Sequence, residues 1–481
     1  MEPRKLEPFV WEIPVGAVAG MRVPGIVFAS DDLIRKAIDD RAVLQVANVA
    51  TLPGVVRASY AMPDIHWGYG FPIGGVAATD ADGEGVISPG GVGFDIACGV
   101  RLLRSNLDFE RDVKPVLSEL VAALGALVPR GVGTKGRLPL SRSECLRVLR
   151  EGVRYPLERG FGTERDAAFC EDGGVLEDAL PEEVSDQAIE RGRSQLGSLG
   201  AGNHFLEVQV VDRVFEPHAA AVLGLEEGRV CVMLHSGSRG LGHQVCTDHV
   251  KVMDRLMRQL GIEVPDRQLA CAPLAHEAAK RYLGAMYAAA NFARANRHVL
   301  AHAAREAFER VFRRSAEDLG LDLVYDVSHN LAKIETYVVD GRRMRLCVHR
   351  KGATRAFGPG HPDIPDAYRE IGQPVLIPGS MGTASYVLVG MATSAERVFS
   401  STCHGAGRQM SRTKAKKVMS GPQLARSLEE QGIALAPAHW GLLSEEAPYA
   451  YKDVDEVVLV CEGAGLSRIV ARLRPIGVVK G

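Results

Sequence analysis

The sequence has no run of about 18 consecutive apolar residues, which excludes an ordinary membrane-spanning helix. Its opening residues, Met1-Glu-Pro-Arg-Lys-Leu-Glu-Pro8, lack the apolar stretch of a secretory signal, so a cytoplasmic protein with no membrane contact is expected. Nine cysteines occur, at 98, 145, 170, 231, 246, 271, 347, 403 and 461, but no Cys-x-x-Cys. An odd, scattered set in a long intracellular chain does not read as a disulfide framework. Net charge is only −2, which argues against a uniformly basic nucleic-acid coat protein and leaves room for a local basic site. There is no Gly-x4-Gly-Lys-Ser/Thr, so this is no ordinary P-loop NTPase, and nothing reads as a Rossmann dehydrogenase. Lys-x-Asp-Gly, the signature of ligases that carry a nucleotide on lysine, is missing too. Short-period repeats, low-complexity tracts and flexible linkers are also absent. A single interwoven unit over 1–481 is therefore expected, α+β in class, with mixed sheets, long helices and a central cleft.

What is present is glycine at chemically loaded places. Ser88-Pro-Gly-Gly-Val-Gly-Phe-Asp-Ile-Ala-Cys-Gly-Val100 holds a carboxylate, Asp95, three residues from a thiol, Cys98. Alone, that is as readily a Gly-rich turn before a buried cysteine as half a metal site. Further on, histidines recur at Gly turns and strand ends: His204 in Gly-Asn-His-Phe-Leu-Glu207, His235 after Val230-Cys-Val-Met-Leu, and His329 after Leu321–Ser328. Side chains at strand ends project from a rigid scaffold into open crevices. Asp95, Cys98, His204, His235 and His329 are too many ligands for one ion, but suit two ions sharing the Cys98 thiolate.

The spacing predicts a helix from an N-cap at Ser30 towards Val49, another over Leu117–Val128, and one from His243 to Leu260. An Ala-rich helix is expected over 274–312, interrupted at Gly284, with His298 and His302 on its face rather than on a metal. Asp340-Gly341 signals a hairpin pairing Thr336–Val339 with Met344–Val348. Met62–Gly75 is expected to be irregular, either a site-lining loop carrying His66 and Trp67 or one in which His66 simply packs between Trp67 and the core. Residues 135–195 read as a helical cap or insertion without chemistry of its own.

Ser236-Gly-Ser-Arg239-Gly, Pro378-Gly-Ser-Met381 and His404-Gly-Ala-Gly407 could each turn consecutive backbone N–H groups onto an anion. His404 is the candidate nucleophile if a nucleotide is carried covalently, because a neutral imidazole is a good nucleophile near pH 7. It reads equally as a turn histidine bonded to backbone. Arg342, Arg343, Arg345, Arg350, Lys351 and Arg355 follow one another with no acid between them, as do Arg408, Arg412, Lys414, Lys416 and Lys417. Such runs form either a groove for a polyanion or a solvated face.

Together, eight segments resemble the RtcB family of RNA-splicing ligases, in family order from 62 to 481. They are Gly-Val-Gly-Phe-Asp-Ile-Ala-Cys-Gly, Gly-Asn-His-Phe-Leu-Glu, His-Ser-Gly-Ser-Arg-Gly, Ser-His-Asn, His-Arg-Lys-Gly-Ala-Thr-Arg, Pro-Gly-Ser-Met-Gly-Thr-Ala-Ser-Tyr, His-Gly-Ala-Gly-Arg and the final Lys-Gly. The resemblance implies a GTP- and Mn²⁺-dependent ligase joining an RNA 2′,3′-cyclic phosphate or 3′-phosphate to a 5′-hydroxyl, in tRNA splicing or RNA repair. It implies one Mn²⁺ on Asp95, Cys98 and His204, a second on Cys98, His235 and His329, and a histidine–GMP at His404. Nucleotide contacts are implied for Asn203, His204, Phe205, Leu206, Glu207, His329, Asn330, Pro378, Gly379, Ser380, Met381, Ser385, Gly405, Ala406, Gly407, Tyr451 and Lys480. RNA phosphates are implied for Arg239, Lys351, Arg408 and Arg412, and an archease-type activating protein as a partner. Ala97 and Ala201 stand where the family pattern more often has Gly or Ser. The competing readings are a bimetal phosphoesterase acting on RNA ends, in which His404 is idle, and a non-catalytic RNA-binding protein.

Overall fold

The computed structural model describes residues 1–437 and 439–481. Two mixed sheets carry the architecture. One has seven strands in the order Arg4–Glu7, Val10–Ile13, Gly25–Phe28, Val55–His66, Ile73–Asp80, Arg342–Lys351, Asn330–Val339. In the other, Leu323–Ser328, Gly99–Asp108, Arg229–Ser236, Phe205–Val214, Ser467–Lys480, Ser385–Gly390 and Pro374–Ile377 lie side by side, and Ala434–Pro437 adds in parallel to Ser467–Lys480. Helices pack against both sheets, so the class is the α+β expected.

Sequence pattern explains most elements. The strand Arg229–Ser236 is buried along almost its whole length, which is why it reads as a continuous apolar run rather than an alternation. The helix Leu117–Leu127 turns Leu120, Val121 and Leu124 inward, one face at helical spacing. Ser30 caps its helix by accepting the Leu33 N–H at 3.0 Å. That helix does not run on to Val49, however. It stops at Asp39, Arg41 takes a left-handed conformation at φ 60°, and a second helix covers Ala42–Val49.

Three further expectations are corrected. The Ala-rich helix runs unbroken from Glu277 to Phe312, because Gly284 makes room for a neighbour instead of breaking the helix: a Cβ there would come within 2.5 Å of the Leu180 side chain. Met62–His66 is not loop but the end of a twelve-residue strand, so only the stretch between it and Ile73 is irregular. The run from Arg342 to Arg355 does not form one positive face. Arg350 pairs with Glu335 at 2.7 Å and Arg355 with Asp172 at 3.0 Å, both buried, while Arg342, Arg343 and Arg345 stay exposed or nearly so at the hairpin end. The hairpin itself forms with Val339 opposite Arg342, across Asp340-Gly341.

Residues 142–192 hold four short helices, Arg142–Glu151, Arg154–Glu158, Glu164–Ala168 and Asp186–Gly192. They are tied into the core: Glu171 accepts the Ser328 N–H at 3.0 Å, and Asp172 receives Arg294 at 2.6 Å and Lys333 at 2.5 Å. Gly131-Val-Gly-Thr-Lys-Gly136 has the Gly-x-Gly-x-x-Gly spacing, but it follows a helix rather than a strand, so the strand–turn–helix context of a dinucleotide site is missing.

Candidate active site

Antiparallel pairing explains how the distant candidate ligands meet. Gly99–Asp108 begins just after Cys98, and Phe205–Val214 begins just after His204. Between them Arg229–Ser236 runs the other way and ends at His235-Ser236. Leu323–Ser328, on the far side of Gly99–Asp108, also runs the other way and ends just before His329. Register fixes the coincidence, with Gly99 opposite both Ser236 and Ser328, and Phe205 opposite His235. Two strand starts and two strand ends therefore share one edge of the sheet.

At that edge Cys98 Sγ lies 3.1 Å from His235 Nε2 and 3.3 Å from His204 Nε2. His235 Nε2 is 3.2 Å from His329 Nε2, and His204 Nε2 is 2.9 Å from Asp95 Oδ2. Cys98, His204 and His235 bring their ligand atoms within 4.8 Å of one another, all three buried. Gly237 lets Asp95 close in, because a Cβ there would sit 2.2 Å from Asp95 Oδ1; the carboxylate takes the Ser238 N–H at 3.1 Å instead.

The donor chemistry fits cations. His235 Nδ1 lies 3.2 Å from the Asn203 carbonyl, which fixes the proton on Nδ1 and turns the Nε2 lone pair towards His329. Burial, reinforced by neighbouring histidines, holds His235 and His329 well below the ordinary histidine range, so both are neutral. If His329 too carries its proton on Nδ1, the two Nε2 lone pairs meet at 3.2 Å and favour a cation between them; if the proton is on Nε2, it donates to His235. Burial and the charge of Asp95 push the Cys98 thiol well up, a cost that a bound cation reverses by binding the thiolate. Burial also acts to raise Asp95, but the hydrogen bond and charge of His204 and the charge of Arg239 outweigh it and hold the carboxyl well below its ordinary range. Two groups contend for His204 Nδ1, the Leu199 carbonyl at 3.0 Å and Arg239 Nη1 at 3.1 Å. If Nδ1–H donates to Leu199, Nε2 is free to ligate; if Nδ1 accepts from Arg239, Nε2–H points at Asp95.

Below the edge sits Arg297, fully buried on the long helix. Its Nη1 donates to the carbonyls of Ala97 at 2.7 Å and Ser236 at 3.0 Å, and its other nitrogens grip Asp326 at 2.9 and 2.7 Å. The two carbonyls belong to the chain neighbours of Cys98 and His235. This brace was invisible in the sequence, where Arg297 is one cation in an Ala-rich helix.

The edge opens into a cleft of about 440 Å³. Asp95, Cys98, His235, Asn203, Phe205, His329, Asn330, Pro378, Gly379, Ser380, Met381, His404, Gly405, Ala406, Gly407, Arg408, Arg412, Tyr451 and Lys480 all line it. His204, Leu206, Glu207 and Ser385 are buried and stand behind its wall, with Leu206 in the hydrophobic core and Ser385 Oγ accepting the Gly379 N–H at 3.2 Å. Lys480 is no loose tail residue: the last strand pairs it with Phe205, and its ammonium lies 5.8 Å from the centre of the Phe205 ring. Burial pushes Glu207 up to about 7. Lys351 is buried with its ammonium on the carbonyls of Tyr69 and Phe71, facing the interior rather than solvent. His298 and His302 are far from this chemistry, bonded respectively to the Phe161 carbonyl and the Gly162 N–H.

His404 faces His329 with ring centres 4.9 Å apart. Its Nδ1 lies 2.5 Å from Asp64 Oδ2, which also accepts the His404 N–H at 3.0 Å, leaving Nε2 free of any partner among the described residues. Burial acts to raise Asp64, but the charge and two hydrogen bonds of His404 outweigh it and hold the carboxyl below its usual range. Asp64 Oδ1 is buried without a partner among the described residues. Sequence reading missed Asp64, 340 residues from His404, although its place in Met62-Pro-Asp-Ile-His66 was a signal. It also missed Glu446, which takes Arg408 at 2.9 Å, Arg412 at 2.8 Å and the Tyr451 hydroxyl, and so holds both arginines at the cleft wall.

Comparison with known proteins gives the family. The RtcB family profile, described as tRNA-splicing ligase RtcB, matches residues 45–481. The chain is 56% identical over 478 residues to the tRNA-splicing ligase RtcB of Archaeoglobus fulgidus, covering 99% of this chain and 98% of that one. It is 53% identical over 478 residues to the protein of the same name from Thermococcus kodakarensis, with 99% and 98% covered. Against the RNA-splicing ligase RtcB of Mycobacterium tuberculosis it is 56% identical over 441 residues, 91% of this chain and all of that one. With the family profile matched over nine-tenths of its length and its ligand edge assembled from the same motifs, the chain belongs to the RtcB family.

Proposed function

We propose that this protein is a GTP- and Mn²⁺-dependent RNA ligase that joins RNA 2′,3′-cyclic phosphate or 3′-phosphate ends to 5′-hydroxyl ends, in tRNA splicing or RNA repair. The observation that carries the reading is the pairing of His404, held by Asp64 with Nε2 free, with a cleft edge of five convergent ligands. Asp95, Cys98 and His204 would hold one ion and Cys98, His235 and His329 the second. Bound there, the ions neutralise phosphate charge and polarise phosphoryl oxygens. The choice of Mn²⁺ and of GTP rests on the family resemblance.

The chain's own residues have three tasks. The His404 Nε2 lone pair attacks the α-phosphorus of GTP, a P–N bond forms, and the P–O bond to pyrophosphate breaks. Nδ1 keeps its proton throughout, donated to the Asp64 carboxylate, which stabilises the positive charge that develops on the ring. An RNA 3′-phosphate oxygen then takes the GMP, and the P–N electron pair returns to Nε2. Finally the 5′-hydroxyl attacks the RNA 3′-phosphorus, loses its proton to solvent and displaces GMP. A cyclic phosphate is first opened to the 3′-phosphate by water in the same cleft. On this reading Arg408 and Arg412 would receive RNA phosphate, and Lys480 at the cleft wall, with Glu207 and Ser385 behind it, would bind guanine. An archease-type partner belongs to the same reading.

The test is incubation with GTP labelled at the α-phosphate, in the presence of manganese. Acid-labile GMP should appear on the wild-type protein and not on His404→Ala. A wild-type protein that takes no label, or a His404→Ala variant that does, sinks the reading and leaves a phosphoesterase that needs only the metal edge.

A further inference from the structure

Trp67 has no part in the chemistry above, yet its indole stands at the cleft. It lines the same cavity as Cys98 and His404 and is 45% exposed, one of three tryptophans in the chain. An exposed indole on a wandering loop would mean little. Here the backbone on both sides is clamped: the Trp67 N–H donates to Asp40 Oδ2 at 2.5 Å, the Gly68 N–H to Gln45 Oε1 at 2.9 Å, and Gln45 Nε2 donates to the Gly68 carbonyl at 2.7 Å. Gln45 is itself fully buried. Three side-chain bonds thus fix the backbone that carries a large aromatic residue with nearly half its surface in water.

We propose that Trp67 is a stacking platform for a nucleobase of the RNA strand at the mouth of the cleft, an inference that rests on the ligase reading. Every base has a flat π-face, so such a platform binds RNA without reading sequence. Trp67 follows a strand of the seven-stranded sheet, whereas Glu207 and Lys480 belong to the other sheet, so the platform and the guanine contacts are on different walls. Beyond Trp67 the cavity adjoins a second cleft of about 310 Å³ that shares His66 and Arg408 with the first. Its wall sets Lys36, Lys452 and Arg408 against Asp39 and Asp40, so charge alone gives a strand little hold there. Stacking supplies it.

That distinction makes the experiment. Phosphate contacts give affinity a steep salt dependence, and stacking does not. A Trp11→Phe/Trp440→Phe background leaves Trp67 as the sole tryptophan; a single-stranded oligoribonucleotide with a 3′-phosphate should quench its fluorescence, and an abasic oligomer of equal charge should not. Trp67→Ala should weaken oligonucleotide binding by about tenfold with the slope against salt unchanged, and Trp67→Phe should retain most of the affinity. Unquenched fluorescence with RNA, equal quenching by the abasic oligomer, quenching by GTP alone, or a changed salt slope in Trp67→Ala would each overturn the platform. Guanylylation needs no RNA, so wild-type protein that takes no label from GTP overturns the ligase reading separately, whatever the oligonucleotide does.

Discussion

Two buried polar clusters lie one above the other in this protein. In the lower one, Asp326 is fully buried between Arg101 at 2.7 Å and Arg297 at 2.9 and 2.7 Å, and Arg101 reaches on to His298. Both carboxylate oxygens have cationic donors. In the upper one, Cys98 Sγ and the Nε2 atoms of His204, His235 and His329 converge at 3.1–3.3 Å, groups that can bond one another or ligate. Burial costs each cluster alike, so the difference is in satisfaction. A closed network of opposite charges holds a fold in one arrangement, whereas convergent thiol and imidazole groups can take a ligand. Arg297 belongs to both, with one end on Asp326 and the other on the carbonyls beside two ligands.

The contrast predicts opposite outcomes for neighbouring substitutions. Cys98→Ala should abolish ligation and remove both metals, read by elemental analysis of the purified protein. Without metal the neutral thiol makes only a weak S–H bond to an imidazole, so the metal-free variant should melt close to metal-free wild type; a drop of several degrees would make the sulfur structural. Asp326→Asn should do the reverse, costing about 3–5 kcal/mol in denaturant unfolding by stranding two buried guanidinium groups, with metal content per folded molecule retained. If that variant instead loses metal at wild-type stability, the lower cluster serves the site and not the fold. Asp64→Asn should slow guanylylation by about 10²-fold or more, measured per folded molecule, because the ring loses its orienting carboxylate.

Two pH experiments refine the comparison. Burial acts to raise Asp326, but Arg297 and Arg101 more than offset it and hold the carboxyl well below the usual range. As pH falls past about 3.9, the unfolded chain takes up that proton first, so the contribution is full above about pH 5 and is lost as the folded group titrates. The stability gap between wild type and Asp326→Asn should therefore narrow on acidification and stay constant from pH 5 to 8. The smallest effect concerns Glu207, pushed up to about 7 by burial. If its ionised form accepts from guanine, GTP binding should tighten several-fold as pH rises through about 7, and Glu207→Gln should flatten that profile.

Much of the site was legible because its signals are local. Asp95-x-x-Cys98 and the histidines at Gly turns are contiguous motifs, and strand-end positions follow from apolar runs that stop at a histidine. The hairpin at Asp340-Gly341 was legible for the same reason. Illegible were the features set by partners far along the chain. Arg350, Lys351 and Arg355 read as a basic face, yet Glu335, Asp172 and the carbonyls of Tyr69 and Phe71 take them inside. Gly284 read as a helix break, yet the glycine is there because Leu180 crosses the helix at that point.

The sequence by itself determined which atoms are available: a thiol, a carboxylate and imidazoles of suitable softness, all but His329 near glycines that permit tight turns. Only the tertiary structure decided which of them meet. Antiparallel alternation brings two strand starts and two strand ends to one edge, and register makes those four ligand positions coincide. The same long-range packing sets Asp64 behind His404 and Asp40 under Trp67, because hydrogen-bond partners depend on distance in space and not on separation along the chain.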